Sequence, residues 1–143
     1  MTNFDTVSAI TGNLHSALES IGISFVRTVF DDERNIPATL LPLGEIFYDA
    51  EAFEDGFGER PGYVEAEFRV RVVIGALPPH DAVTEQQRWA HLVRGALSAA
   101  SLNTGALAAQ KPVSRVRVSR LDARGTGSMA SVSLRLAIRY REA

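Results

Sequence analysis

A chain of 143 residues with 45% hydrophobic and 22% charged content has the size of one globular domain, able to bury roughly two-thirds of its unfolded surface in a single core. No apolar run approaches the roughly 20 residues of a membrane-spanning helix, and the lack of any cysteine excludes disulfides, thiolate metal sites and a cysteine nucleophile. Charge is split along the chain: residues 1–67 carry thirteen Asp/Glu against three Arg, a net of −10, and residues 68–143 carry four against eleven Arg and one Lys, a net of +8, so the total of −2 hides a strongly dipolar chain.

The opening MTNFDTVSAITGNLHSALESIG has an acid and no basic cluster ahead of its apolar residues, unlike a signal peptide, so a soluble cytoplasmic product with no membrane partner is expected. Phe4, Val7, Ile10, Leu14, Leu18 and Ile21 recur at spacings of three and four, which predicts a helix over about residues 5–20 with one apolar stripe. Gly22 can adopt the left-handed conformation that closes a helix. The β-rich run ISFVRTVF at residues 23–30 predicts a first strand, the polar turn DDERN follows, and residues 36–44 read as a short second strand. The two prolines of that strand, Pro37 and Pro42, place it at an edge or an irregular end, because proline cannot donate to a ladder.

Residues 45–62, EIFYDAEAFEDGFGERPG, hold six acids and four aromatic rings together with three glycines and a proline. This composition predicts a long acidic loop or a protruding hairpin. Phe47, Tyr48, Phe53 and Phe57 are candidates for ordering against a partner, since a purely solvated loop gains nothing from four rings. The alternative is that two or three of them cap the subunit's own core.

From Tyr63 the alternation is strict, with Val64, Ala66, Phe68, Val70, Val72 and Ile74 on one face and Glu65, Glu67, Arg69 and Arg71 on the other. A second helix follows, capped by Asp81 or by Thr84 with Gln87 as its capping-box partner, and its stripe of Trp89, Leu92, Val93, Ala96, Leu97 and Ala100 carries it to about residue 100. A loop reaches Pro112. Residues 113–123 give a fourth strand with Val116 and Val118 opposite Arg115 and Arg117, Gly125 and Gly127 make a turn, and residues 130–141 give a fifth with Val132, Leu134, Leu136, Ile138 and Tyr140 inward and Arg135, Arg139 and Arg141 outward. The expected fold is α+β: a single mixed or antiparallel sheet of about five strands with two helices on one face, in the order α-β-β-(long loop)-β-α-β-β. The opposite face is then rich in arginine and meets either water or a neighbouring molecule.

No constellation for chemistry emerges. Gly56-Phe57-Gly58 and Gly125-Thr126-Gly127 do not lie between a strand and a helix, so neither reads as a phosphate cradle, and no nucleophile-elbow or Walker motif occurs. His15, His80 and His91 lack close carboxylate partners at ligand spacing, and the cluster Asp31-Asp32-Glu33 reads as a solvated turn. We therefore expect no catalytic residue, no metal and no cofactor, and a protein that is not an enzyme. The arginine face could contact phosphates, but it lacks the stacking rings of a single-strand binder. Glu65 and Glu67 on that face suggest cross-strand ion pairs and subunit contacts.

The element order, with a helix before ISFVRTVF, an acidic loop before YVEAEFRVRVVIG, the helix TEQQRWAHLVRGALSAA and the closing pair VSRVRVSRLDARG and SMASVSLRLAIRYRE, resembles the tail terminator (tail completion) proteins of long-tailed bacteriophages and phage-like particles. The resemblance spans nearly the whole chain and rests on length, element order and the closing strands rather than on a signature motif. It implies a structural virion protein, assembled in the host cytoplasm, that forms a ring, commonly a hexamer, at the head-proximal end of the tail tube. Its implied partners are its own copies, the major tail tube protein and a head-completion or stopper protein, with DNA only passing through the lumen. A ring repeats one heterologous interface around an axis, so an acidic and a basic surface on one subunit can meet neighbour to neighbour. Phe47, Tyr48, Phe53, Phe57, Arg69, Arg71, Arg117 and Arg135 are the expected interface residues. Another head–tail connector or minor tail protein remains an alternative, as does a small ligand-binding α+β domain, which would need a concave pocket with converging polar groups.

Overall fold

A computed structural model describes residues 1–29, 36–54, 62–126 and 129–142. The chain opens with α1 (Asn3–Glu19), whose start is a capping box: the Thr2 hydroxyl accepts from the Asp5 N–H, and the Asp5 carboxylate accepts from the Thr2 N–H and hydroxyl. These bonds, the backbone one first, hold the Asp5 carboxyl below its ordinary range. Ile10, Leu14 and Leu18 are fully buried, as the stripe predicts. Gly22, at φ +104°, turns the chain out of the helix in a conformation that costs side-chain-bearing residues strain.

The strands are β1 (Phe25–Arg27), β2 (Leu43–Glu54), β3 (Tyr63–Gly75), β4 (Val113–Thr126) and β5 (Met129–Arg141), in the sheet order β1-β2-β3-β5-β4. β1 runs parallel to β2, and every other pair is antiparallel. Between β3 and β4 lie α2 (Pro79–Ala96) and the short α3 (Ala99–Leu102). One face of the sheet presents Val64, Ala66, Phe68, Val70 and Val72 of β3 and Val132, Leu134, Leu136, Ile138 and Tyr140 of β5. These pack with Ile10, Leu14 and Leu18 of α1, Trp89, Ala90 and Val93 of α2, and Leu102 and Leu107 in one core. Each large side chain buried there contributes about 1.5–3 kcal/mol. The fold is thus the expected α+β sheet with its helices on one side, and α3 is an addition.

Several local expectations are corrected. Residues 36–44 do not form a strand: Ala38–Leu40 is a single 3-10 turn, and the second strand begins at Leu43. Of the long loop or protruding hairpin expected at residues 45–62, the hairpin reading fits: through Glu54 the segment belongs to the strand β2, antiparallel to β3, with Glu45 opposite Arg71, Asp49 at 3.5 Å from Arg69 and Glu54 at 3.4 Å from Arg139 of β5; residues 55–61, which include Phe57, lie outside the described residues. The first strand is only three residues long. α2 starts at Pro79 without a side-chain cap, and the Thr84 hydroxyl donates to the His80 carbonyl inside the helix rather than capping it. The helix stops at Ala96 because Ser98 starts a new one, sharing a capping box with Ser101. Asn103 then ties this connection to the sheet, donating to the Val113 carbonyl at 2.8 Å and accepting from the Val113 N–H at 3.0 Å.

Candidate assembly surface

The sheet face turned away from the helices is built by strand alternation, and cross-strand register decides which charges meet on it. Glu45 pairs with Arg71 and Phe47 with Arg69 in adjacent strands. The Arg71 guanidinium lies 2.8 Å from the Glu45 carboxylate, with both side chains nearly closed to solvent. Phe47, only 2% exposed, carries the Arg69 guanidinium 4.1 Å and the Arg71 guanidinium 5.1 Å from its ring centre, a cation–π arrangement that shields both ring and charge. Arg69 also reaches Asp49 at 3.5 Å.

Toward the far end of the sheet, Arg117 lies 3.6 Å from Glu65. Arg139 lies 3.4 Å from Glu54 and stacks on Tyr63 at 4.3 Å. Glu45, Asp49, Glu54 and Glu65 of the acidic half therefore already face arginines of the basic half within one subunit. Arg135 stands differently. It is exposed and sits opposite Arg69 on one side and Arg120 on the other, a row of three arginines whose outer two are met by Asp49 at 3.5 Å and Asp122 at 3.0 Å. Arg135, which faces both, is the member of the row whose like-charge contacts cost stability.

The structure thus divides the eight residues singled out from sequence. Arg69, Arg71, Arg117 and Arg135 share the polar face, where Arg71 is an interior residue, contrary to the expectation that it projects to a neighbour. Phe47 is on that face and buried. Tyr48 and Phe53 belong to the helix side: Tyr48 tilts against Phe68 with ring centres 5.5 Å apart, and Phe53 is 68% exposed. Phe57 lies outside the described residues. Glu51 accepts a hydrogen bond from the Tyr140 hydroxyl at 3.1 Å. Partial burial, then the Glu51 carboxylate beside it, pushes the Tyr48 phenol up to about 12, and burial together with Glu51 raises Tyr140 as well.

Among the described residues, two of the apolar grooves lie on the helix side beside the sheet's outer strands. One, of about 520 Å³, runs beneath α1 and β1 and is lined by Thr11, Arg27, Val29, Ile46, Tyr48 and Phe68. The other, of about 320 Å³, lies between α2 and β4 and is lined by Val83, Gln86, Ala90, His91, Leu121 and Ala123. Sequence reading missed this second groove. Leu121 and Ala123 share the helix side with Val116 and Val118 only because a register shift between Val118 and Arg120 resets the alternation, and periodicity alone does not reveal a bulge. Among the described residues no three His, Asp or Glu come together as metal ligands, and no helix is long and apolar enough to cross a membrane.

No family model and no curated protein matches the sequence. Among solved structures, a chain in the virion of a native gene transfer agent (GTA) particle is similar, with a TM-score of 0.57 over 94% of this chain and 92% of that one at 18% identity. The likeness is one of fold, and it takes in both chains almost end to end.

Proposed function

We propose that this protein is a structural subunit of a phage-like virion, and specifically the tail terminator, a ring at the head-proximal end of the tail tube that ends tube polymerisation and joins the tail to the head or neck. The observation that carries the reading is the near end-to-end fold likeness to a chain of an assembled GTA virion. It agrees with the independent resemblance of the element order to tail terminators. The polar face supports a structural role rather than a catalytic one: Glu45, Asp49, Glu54 and Glu65 are spent on pairs with arginines, and neither groove described above gathers converging acid, base and nucleophile. Ring closure would also cover the open edges of the sheet, which otherwise invite uncontrolled pairing.

In this reading the ring contacts the major tail tube protein below and a head-completion or stopper protein above, and DNA passes through its lumen. The test is light scattering of the purified protein followed by negative-stain imaging beside tail tubes. Closed rings seated on tube ends, and tubes that stop growing when the protein is added, are the expected result. Rings that bind only heads or only a neck component would make it a different connector, and a monomer that ignores tubes would sink the assembly reading altogether.

A further inference from the structure

The sheet ends in two open edges of opposite charge. On one side β1 covers β2 only from Gly44 to Ile46, with a last bond from the Thr28 N–H to the Ile46 carbonyl. Beyond that point, among the described residues, β2 pairs with β3 alone. A register shift between Tyr48 and Ala50 then leaves residues 50–54 as a straight stretch carrying Glu51 and Glu54. On the other side β4 is the last strand, and after its own shift at Val118/Arg120 residues 120–124 form a stretch of unbroken register carrying Arg124 and Arg120, the latter 3.0 Å from Asp122. Beside that stretch lies the 320 Å³ groove, rimmed by Leu121 at 47% and Val83 at 53% exposure.

We infer that residues 50–54 of one copy pair antiparallel with residues 120–124 of the next, and that Phe53 of the first copy seats its ring against Leu121 in the groove between α2 and β4 of the second. The inference rests on the ring reading and specifies its interface. Continuing one sheet into the next keeps the helix sides together, so Phe53 must face helix-side residues of β4. A one-residue slip would put its ring on the charged face.

Among registers that keep the faces, setting Phe53 opposite Leu121 places Glu54 opposite Arg120, Glu51 opposite Ala123 and Ala52 opposite Asp122. Sliding by two in one direction sets Glu54 against Asp122, and in the other it sets Phe53 against Ser119, where β4 is bulged. Backbone hydrogen bonds from two open edges supply the affinity, and the ring in its groove supplies the register, as in strand addition generally.

The chain's lack of cysteine makes the test clean. Directly opposite residues in an antiparallel pair have Cα atoms about 4.5–5.5 Å apart, inside the roughly 4.4–6.8 Å that a disulfide spans. Ala52→Cys and Asp122→Cys, opposite each other in this register, leave Phe53, Leu121 and the core untouched. Under mild oxidation, a mixture of the two single variants should give a disulfide-linked dimer that neither variant gives alone, and the double variant should give a ladder ending at the ring. Phe4→Cys, at a 74% exposed position on α1, mixed with Asp122→Cys is the collision control and should stay unlinked. Rings that form normally without the Ala52–Asp122 link, or a control that links equally well, would overturn this interface while leaving the ring reading standing. A protein that stays monomeric at every concentration, alone and with tail tubes, overturns both.

Discussion

At the scale of single residues, the polar face separates a charge that holds the fold from a charge that strains it. Arg71 and Glu45 are buried together at 2.8 Å, and removing one partner of such a pair strands the other charge at a cost of about 3–5 kcal/mol. Arg71→Met should therefore lower the unfolding free energy by that order, read as a lower urea midpoint, and Glu45→Leu in the same chain should restore most of the loss; equal midpoints for the single and double variants would contradict the pairing. Arg135 lies between Arg69 and Arg120, so Arg135→Glu should stabilise the isolated subunit by about 0.2–1 kcal/mol. If it does so while weakening ring formation, the like-charge row is kept for assembly; a destabilised subunit would refute the repulsion. Tyr48 and Tyr140 supply a pH signature. Their folded-state pKa values lie above the unfolded value of 10.0, so the folded chain holds its phenolic protons more tightly than the unfolded one. The resulting stability is fully present below about 10 and is lost as pH rises through about 12. Thermal melts in alkaline buffers should fall across that window, and Glu51→Gln should make the fall shallower by removing the neighbouring negative charge.

At the scale of elements, the close approach of β1 to β2 depends on Gly44. It stands opposite Phe25, and a Cβ there would run into the Phe25 ring. Gly44→Ala should cost about 1–3 kcal/mol as overpacking and chiefly loosen β1, visible as faster amide exchange of Phe25 to Arg27; unchanged exchange would show that the ring has room to move. This contact also marks what the sequence could and could not disclose. α1, β3 and β5 were legible because Ile10, Leu14 and Leu18 keep helical spacing and Val64 to Val72 and Val132 to Tyr140 keep strict alternation over a buried face. β2 was not. Its acids and aromatics belong to a strand whose polar side is paired rather than solvated, and Glu45 or Phe47 reads as a strand residue only once Arg71 and Arg69 are known to lie opposite. The start of α2 escaped for a related reason, since Pro78 and Pro79 open it with no side-chain cap. Of the candidate interface, the arginine face followed from alternation alone, whereas the groove beside Leu121 depends on a bulge that leaves no periodic signal.

At the scale of the whole molecule, the division into an acidic and a basic half suggests assembly driven by charge, and the ion pairs argue for a smaller electrostatic share. Glu45, Asp49, Glu54 and Glu65 lie within 2.8–3.6 Å of Arg71, Arg69, Arg139 and Arg117 of the same subunit. Much of the −10/+8 split is thus compensated across neighbouring strands before any second copy arrives. What remains for a neighbour is the pair of open edges, with Glu51 on one and Arg124 on the other, and with Glu54 and Arg120 already held by Arg139 and Asp122 of their own subunit. Exposed pairs there contribute about 0–1 kcal/mol each and are screened over roughly 8 Å at physiological ionic strength. Phe53 desolvated in its groove contributes about 1.5–3 kcal/mol by area, and the backbone bonds between edges are less sensitive to salt. Raising salt to about 1 M should therefore shift the ring–monomer midpoint toward higher concentration without abolishing rings, with the Debye length then down to about 3 Å. Phe53→Ser should shift the midpoint further than salt does, and Arg117→Glu with Arg135→Glu less than Phe53→Ser, all with a cooperative fold. Sedimentation across a salt series resolves the order. Rings that vanish in high salt but survive Phe53→Ser would mean that charge, after all, is what joins one subunit to the next.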